Sequence, residues 1–261
     1  MEIIPGYNPW KLKAVYLSGG ISMNVVITGA GRGLGLEMVK KHVNNGDHVL
    51  ALAHSITPEL EELNKLNTSS KLEVKTVELT DYQSVINIAE EYSSTVDILY
   101  NIAGIYYEDQ RCNLAETDIA KALKMYEINA LAPLNVMKAY EKKLVKGSVN
   151  LIVSSEAGSI GASWRSSEYG YCMSKAAVNM AAKNFSNATA DKGIQTILYH
   201  PGWMRTQMGG DRAKASSESI EASTSADKLF NIVLEAHENA LQGKIDKTVP
   251  FVDYQSNTWE W

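Results

Sequence analysis

The stretch that most constrains this chain is Thr28-Gly29-Ala30-Gly31-Arg32-Gly33-Leu34-Gly35. A β-branched run, Val25-Val26-Ile27, precedes it, and Leu36-Glu37-Met38-Val39-Lys40-Lys41 follows with a helical pattern. A strand, a glycine turn and a helix start together make a phosphate site. The first N–H groups of the helix point outward, and the helix dipole favours an anion there. Glycines let the backbone approach phosphates closely, because no Cβ intervenes.

Strand and helix patterns then alternate to the end of the chain. Strands are expected at 23–28, 49–53, 72–79, 96–100, 148–154, 194–199 and 249–252. Helices are expected at 36–44, 58–66, 82–92, 118–144, 169–191 and 222–240, and residues 206–219 read as a loop. Apolar, non-alternating strands between helices predict an α/β doubly wound domain, about seven parallel strands covered on both faces. Such sheets bind ligands beyond the carboxyl ends of their strands. The core pattern begins at Met23, so residues 1–22 read as an N-terminal extension and 23–261 as one domain.

Composition excludes several classes. The chain has 261 residues and a net charge of −5, with no basic block. Nucleic acid and anionic membranes are therefore not expected partners. No run of 18 or more apolar residues is present, and Pro5, Gly6, Asn8, Lys11 and Lys13 interrupt any signal-peptide core. Cys112 and Cys172 have neither disulfide-framework nor zinc-site spacing, so no metal is expected and a cytoplasmic setting is the simplest reading.

Two further features carry chemistry. Tyr171 and Lys175 lie four residues apart on an expected helix and so share a face. A nearby ammonium favours the phenolate and lowers the tyrosine's pKa. A Tyr tuned in this way can exchange a proton with a carbonyl oxygen. Tyr169, six residues from Lys175, sits on another part of the helix surface. Asn129 falls mid-helix, four residues before Pro133, which has no N–H for the Asn129 carbonyl. A kink is expected there, and a freed buried carbonyl calls for a water.

The glycine stretch fits T-G-x-x-x-G-x-G on Gly29, Gly33 and Gly35. With Tyr171-x-x-x-Lys175, Asn101-Ile102-Ala103-Gly104 and Pro201-Gly202, it resembles the classical short-chain dehydrogenase/reductase family. Ser154-Ser155-Glu156-Ala157-Gly158-Ser159-Ile160 and the tail from His200 to Gly210 resemble the sniffer-like and C-factor-like carbonyl reductases. The resemblance implies a Rossmann-type fold and hydride transfer between NADP(H) and a carbonyl or secondary alcohol. It implies Tyr171 as acid/base, Lys175 as its partner and Ser155, the second of the serine pair, as the group that polarises the carbonyl. Asn129 would hold a water that links the lysine to solvent.

For the cofactor the resemblance implies contacts from Gly29, Gly31, Arg32, Gly33, Leu34, Gly35, Glu78, Leu79, Asn101, Ala103 and Gly104. Later contacts are Tyr171, Lys175, Pro201, Gly202, Trp203, Met204 and Thr206. The second strand ends in Ala53-His54-Ser55-Ile56-Thr57, with no acid before Glu59. Arg32, with His54 and Ser55, therefore favours the 2′-phosphate of NADP over NAD. Departures from the pattern are Ile102 for a second Asn, Glu78 for the usual Asp, and a longer interval of 16 residues from Ser155 to Tyr171.

Tyr106, Tyr107, Trp164, Trp203 and Met204 are candidate pocket walls. His200 reads as a packed histidine with no evident partner. The long helices at 118–144 and 169–191 are candidates for pairing in a homodimer or homotetramer. The sequence also admits two other functions: a non-catalytic NADP-binding sensor, and an epimerase or dehydratase using Glu156 as an extra acid/base.

Overall fold

The computed structural model describes residues 22–66 and 71–261. The expected extension thus lies, except for Ser22, outside the described residues. Seven strands form one parallel sheet: β1 (Asn24–Thr28), β2 (His48–Ala53), β3 (Leu72–Thr76), β4 (Val96–Asn101), β5 (Leu144–Val153), β6 (Gln195–His200) and β7 (Phe251–Asp253). Their order is β3-β2-β1-β4-β5-β6-β7. The chain reverses its direction of travel across the sheet between β1 and β4, and this is the switch point where such sheets bind ligands.

The strands bury both faces, as their unbroken apolar runs require. On one side Val25, Ile27, Ile98, Tyr100, Leu151 and Tyr199 pack under α1 (Gly33–Asn45) and α8 (Ala222–Leu241). On the other, Val26, Leu50 and Leu99 meet α3 (Tyr82–Glu91) and α5 (Ala132–Tyr140). Ile152, Leu198 and Phe251 meet α6 (Tyr169–Thr189) on that same side. Register is exact across the centre: Val25 pairs with Val49 and Ile98, and Ile98 with Val149.

A buried polar cluster pins the far end of α1. His42 Nδ1 lies 2.7 Å from Asp47 Oδ2, and His42 Nε2 lies 2.9 Å from the Tyr100 hydroxyl. Asp47 also accepts the Met23 N–H at 3.0 Å, which fixes the start of β1. Gly46, at φ 86°, supplies the left-handed turn that stops α1.

The expected single helix at 118–144 is instead four pieces. They are α4 (Ile119–Tyr126), a π-helical turn Glu127–Leu131, α5, and a 3₁₀ turn Glu141–Lys143. Pro133 removes the α-helical donor to Asn129, and the extra residue of the π turn absorbs the mismatch. The strand β5 consequently starts at Leu144 rather than 148. The expected loop at 206–219 contains a short helix, α7 (Gly210–Ala215), and β3 ends at Thr76 rather than 79.

Candidate active site

The glycine turn sits at the carboxyl end of β1. Gly29 has φ 69°, and a Cβ there would lie 2.8 Å from the backbone N and Cα of Ala103. A Cβ on Gly31 would lie 2.8 Å from the Ser55 carbonyl. The turn is thus pressed between the ends of β4 and β2 and admits no side chain at either point. Thr28 fastens the same junction: its Oγ1 accepts N–H groups of Ile102 at 3.1 Å and Ala103 at 3.3 Å.

The first turn of α1 has no side-chain cap from Arg32 and no acidic residue. Its leading N–H groups therefore have neither a capping oxygen nor a carboxylate to satisfy them, which fits a phosphate group at that place. The segment after β6 folds back over this turn. Thr206 Cγ2 would stand 3.3 Å from a Cβ on Gly33, and the Gln207 side chain accepts from Arg32. Pro201 leads into Gly202, whose φ of 79° places it against the Tyr254 ring. Trp203 and Met204 continue the segment, pairing with Ile220.

At the end of β2 the sequence shows no acid, yet the fold supplies one. Glu78, after β3, reaches His54, with Oε2 3.2 Å from Nε2. Glu78 and His54, two expected cofactor residues, are therefore partners of each other, and both are solvent-exposed. Leu79 follows Glu78 and packs on the core. Ser55 contributes its backbone carbonyl beside Gly31. Asn101 is buried and its Nδ2 donates to Asn150 at 3.1 Å, while its side-chain amide oxygen Oδ1 has no hydrogen-bond partner among the described residues.

The four expected reacting residues converge at the ends of β4 and β5. Lys175 Nζ lies 5.8 Å from the centre of the Tyr171 ring and donates to the Val153 carbonyl at 2.9 Å. Gly104 completes the corner: a Cβ there would be 3.1 Å from Asn129 Oδ1 and 3.7 Å from Lys175 Nζ. The two serines part ways. Ser154 is sealed against Asn179 at 2.5 Å, whereas Ser155 donates to Glu156 Oε2 at 2.5 Å on the Tyr171 side of the corner. Ser155 also caps the short turn Glu156–Gly158 by accepting the Ala157 N–H at 3.2 Å.

Asn129 is 1% exposed and its side chain is fully used. Nδ2 donates to the Ile105 carbonyl at 2.9 Å and to Ser174 Oγ at 3.0 Å, and Oδ1 accepts the Ile105 N–H at 2.8 Å. Its side chain is a clamp on the loop after β4.

Electrostatics differ from the sequence expectation at Tyr171. Burial, and then the Glu156 carboxylate, push its pKa well above the ordinary phenol value; the Ser155 hydrogen bond only partly offsets them. The ammonium was expected to lower it. Burial acts on Lys175 too and brings it down to about 8. At neutral pH the pair is therefore phenol and ammonium.

The longer loop before Tyr171 carries a network that only three dimensions reveal. Arg165 bridges Glu156 and Glu168. The Tyr106 hydroxyl donates to Glu168 at 2.5 Å, and its ring stands edge-on to Tyr171 at 5.1 Å. Among the described residues His200 Nδ1 makes no hydrogen bond but lies 3.5 Å from Glu156 Oε2, with the Trp259 ring alongside at 5.7 Å. Trp164, 74% exposed, stacks on Arg165, and Tyr107 lies under Lys121 rather than in this network. Glu168 has φ 62°, unusual for a non-glycine residue. No periodicity marks Glu168, so sequence reasoning passed over it.

Comparison with known proteins shows the family and the fold. The family model described as short chain dehydrogenase matches residues 23–217. The C-signal protein of Myxococcus xanthus is 40% identical over 120 residues, 45% of this chain and 71% of that protein. A carbonyl reductase from Pseudomonas aeruginosa PAO1, solved in complex with NADP, superposes with a TM-score of 0.76 at 29% identity. The match covers 92% of this chain and all of that one. The carbonyl reductase Sniffer of D. melanogaster shares the fold, with a TM-score of 0.78 at 21% identity over 92% of this chain and 100% of its own.

Proposed function

This chain belongs to the short-chain dehydrogenase family and is an oxidoreductase acting on CH–OH and C=O groups, and we propose that it is an NADP(H)-dependent carbonyl reductase with Tyr171 as its general acid. The observation that carries this reading is the Tyr171–Ser155–Lys175 corner at the carboxyl ends of β4 and β5. A phenol held protonated by burial stands beside a buried ammonium and a serine hydroxyl.

When bound, NADPH supplies the hydride. Tyr171 gives its proton to the substrate oxygen as that oxygen gains charge. Ser155 holds the same oxygen by a hydrogen bond. Lys175, anchored on Val153, supplies positive charge next to the phenolate that results. Asn129 keeps the loop after β4 fixed against α6. Gly29, Gly31, Gly33, Leu34 and Gly35 would take the pyrophosphate at the α1 N-terminus, with Arg32 turning from Gln207 to the 2′-phosphate. Glu78, His54 and Ser55 would lie near the adenosine end. Asn101, Ala103, Gly104, Pro201, Gly202, Trp203, Met204 and Thr206 would border the nicotinamide half. The complex of the Pseudomonas carbonyl reductase with NADP supports this cofactor choice.

A second copy of the chain is proposed on the outer face of α4 and α6. Ile119, Leu123, Met173 and Met180 are each at least 59% exposed there, an apolar stripe on two helices packed closely at Gly170 and Ala122. Among the described residues no helix is long and apolar enough to cross a membrane.

The test is transfer of deuterium. With NADPH deuterated at the hydride position and a panel of aldehydes, ketones and diketones, mass spectrometry should find one deuterium on the carbinol carbon. Cofactor binding without labelled product from any of them would move the sensing alternative to the front.

A further inference from the structure

Glu168 opens α6 in a backbone conformation that a side chain disfavours. Its φ is 62°, in the left-handed region. A carboxylate at a helix start usually faces the first N–H groups, but the Glu168 side chain makes no such cap. It is 6% exposed, and both of its oxygens are engaged elsewhere. Oε1 accepts the Tyr106 hydroxyl at 2.5 Å, and Oε2 pairs with Arg165. Backbone strain of this kind persists only where the surroundings hold it. The start of α6 has no room to move toward α4, since a Cβ on Gly170 would lie 2.7 Å from the Cα of Ala122.

Tyr106 is fixed at both ends. At its root, Asn129 binds the N–H and the carbonyl of Ile105, the residue before it. At its tip stands the Glu168 carboxylate. Between these anchors the Tyr106 ring meets the Tyr171 ring edge-on, with centres 5.1 Å apart and planes at 75°. Aromatic pairs in this arrangement favour one relative direction, not contact alone. The backbone of Tyr171 is tied into the same frame. Its carbonyl accepts from Ser174 Oγ at 2.7 Å, and Ser174 Oγ accepts from Asn129 Nδ2 at 3.0 Å. These ties leave the Tyr171 side chain free to rotate, and the Tyr106 ring lies against that rotation.

We propose that Glu168 is a positioning residue for Tyr171: by holding Tyr106 at its hydroxyl, it keeps the Tyr106 ring against Tyr171 and fixes the direction in which Tyr171 presents its own hydroxyl. The inference rests on the reading of Tyr171 as proton donor to a carbonyl. A general acid must meet the substrate oxygen within hydrogen-bond reach, so a Tyr171 ring that swings loses rate. Arg165 carries the same hold to the serine side of the corner. It joins Glu168 to Glu156, whose Oε2 accepts the Ser155 hydroxyl at 2.5 Å. Neither Glu168 nor Tyr106 is among the residues proposed above to border the cofactor, so the clasp acts on proton transfer and not on NADPH binding.

Three variants test this. Tyr106→Phe keeps the ring and removes the hydroxyl. Glu168→Gly removes the carboxylate and suits the left-handed backbone, so strain does not put folding at risk. The third combines both changes. The single-turnover rate with bound NADPH and a carbonyl that wild type reduces is measured, because it isolates the chemical step; NADPH affinity is measured beside it. Each single variant should lose about tenfold in rate, short of the roughly hundredfold cost of an ångström of misplacement, with NADPH affinity unchanged. In the double variant Tyr106→Phe should add little to the loss, because the bond it removes is already gone. Tyr106→Phe at the wild-type rate, or losses that multiply in the double variant, would overturn the proposal.

A readout without turnover runs beside it. NMR of protein made with ring-labelled tyrosine follows the Tyr171 ring, whose signal is assigned by its absence in Tyr171→Phe. Tyr106→Phe leaves an aromatic ring in place, so a moved Tyr171 signal reports that the two rings have shifted against each other. The signal should move in Tyr106→Phe and in Glu168→Gly. A Tyr171 signal that stays at its wild-type position in either variant would overturn the proposal. Wild type that reduces no carbonyl would sink the hydride-transfer reading instead, and the Tyr171 signal would still decide whether Glu168 positions that ring.

Discussion

Asn129 grips both backbone polar groups of Ile105: its Nδ2 donates to the Ile105 carbonyl at 2.9 Å, and its Oδ1 accepts the Ile105 N–H at 2.8 Å. The π turn that carries Asn129 exists because Pro133 cannot complete an α-helix there. A backbone irregularity thus aims one buried amide at the loop that borders the reacting corner. Asn129→Leu would strand both Ile105 groups and take away the donor to Ser174 Oγ, which keeps its own bond to the Tyr171 carbonyl. Leaving buried polar groups unpaired should cost about 3 kcal/mol, read as a lower denaturant midpoint. A loss under about 1 kcal/mol would mean the clamp is dispensable.

Arg32 is the one cation of the glycine turn, and among the described residues its side chain donates to the Gln207 side chain alone. If Arg32 turns to a 2′-phosphate, Arg32→Ala should raise the KM for NADPH about tenfold or more, the worth of one charge-assisted hydrogen bond, and leave NADH unaffected. Steady-state kinetics with both cofactors check this. Equal losses on both would show that Arg32 shapes the turn rather than reading the phosphate.

Gly29 and Gly31 leave no room for a methyl group. Gly29→Ala combines a left-handed backbone with a clash at Ala103, and should destabilise the fold by roughly 1–3 kcal/mol. Gly31→Ala keeps an ordinary φ but drives its methyl to 2.8 Å from the Ser55 backbone carbonyl, so the turn must shift: it should weaken NADPH binding and cost some stability, though less than Gly29→Ala. Unfolding curves and cofactor-fluorescence titrations separate the two effects.

The His42–Asp47–Tyr100 cluster predicts how stability depends on acid. Burial is the largest influence on His42 and lowers its pKa from 6.5, so the folded ring stays neutral where an unfolded chain takes up a proton. For Asp47 burial acts upward, but hydrogen bonds from His42 and the Met23 N–H prevail and lower it from 3.8. Both terms stabilise at higher pH. The histidine contribution fades as pH falls below about 6.5, and the aspartate contribution is lost below about 3.8. Between pH 7 and pH 5, wild type should lose stability and His42→Gln should lose less. A flat wild-type profile would contradict this.

Much of this was legible beforehand because the informative residues carry backbone or spacing signals. The glycine turn, the seven strand positions and the Tyr171–Lys175 spacing come straight from the chain, and all sit where the sheet order puts chemistry. The Asn129–Pro133 pair foretold an irregular helix, but its form as a π turn depends on how α5 packs against α3. His54–Glu78 was missed because strand ends adjacent in space lie 24 residues apart. The network around Glu156 was hidden for the same reason. Its members come from the loop after β4, the turn after β5, the start of α6 and the end of β6, and no local pattern joins them. The depression expected at Tyr171 failed because burial, which sequence does not display, outweighs one ammonium.

The central claim is that Tyr171 is the proton donor. The direct test compares wild type with Tyr171→Phe for NADPH-dependent carbonyl reduction, with NADPH affinity measured on both. The account predicts that reduction falls by roughly a hundredfold or more, as loss of a general acid should, while affinity changes little. Tyr171→Phe that reduces carbonyls at the wild-type rate would contradict it and take the acid role away from this residue.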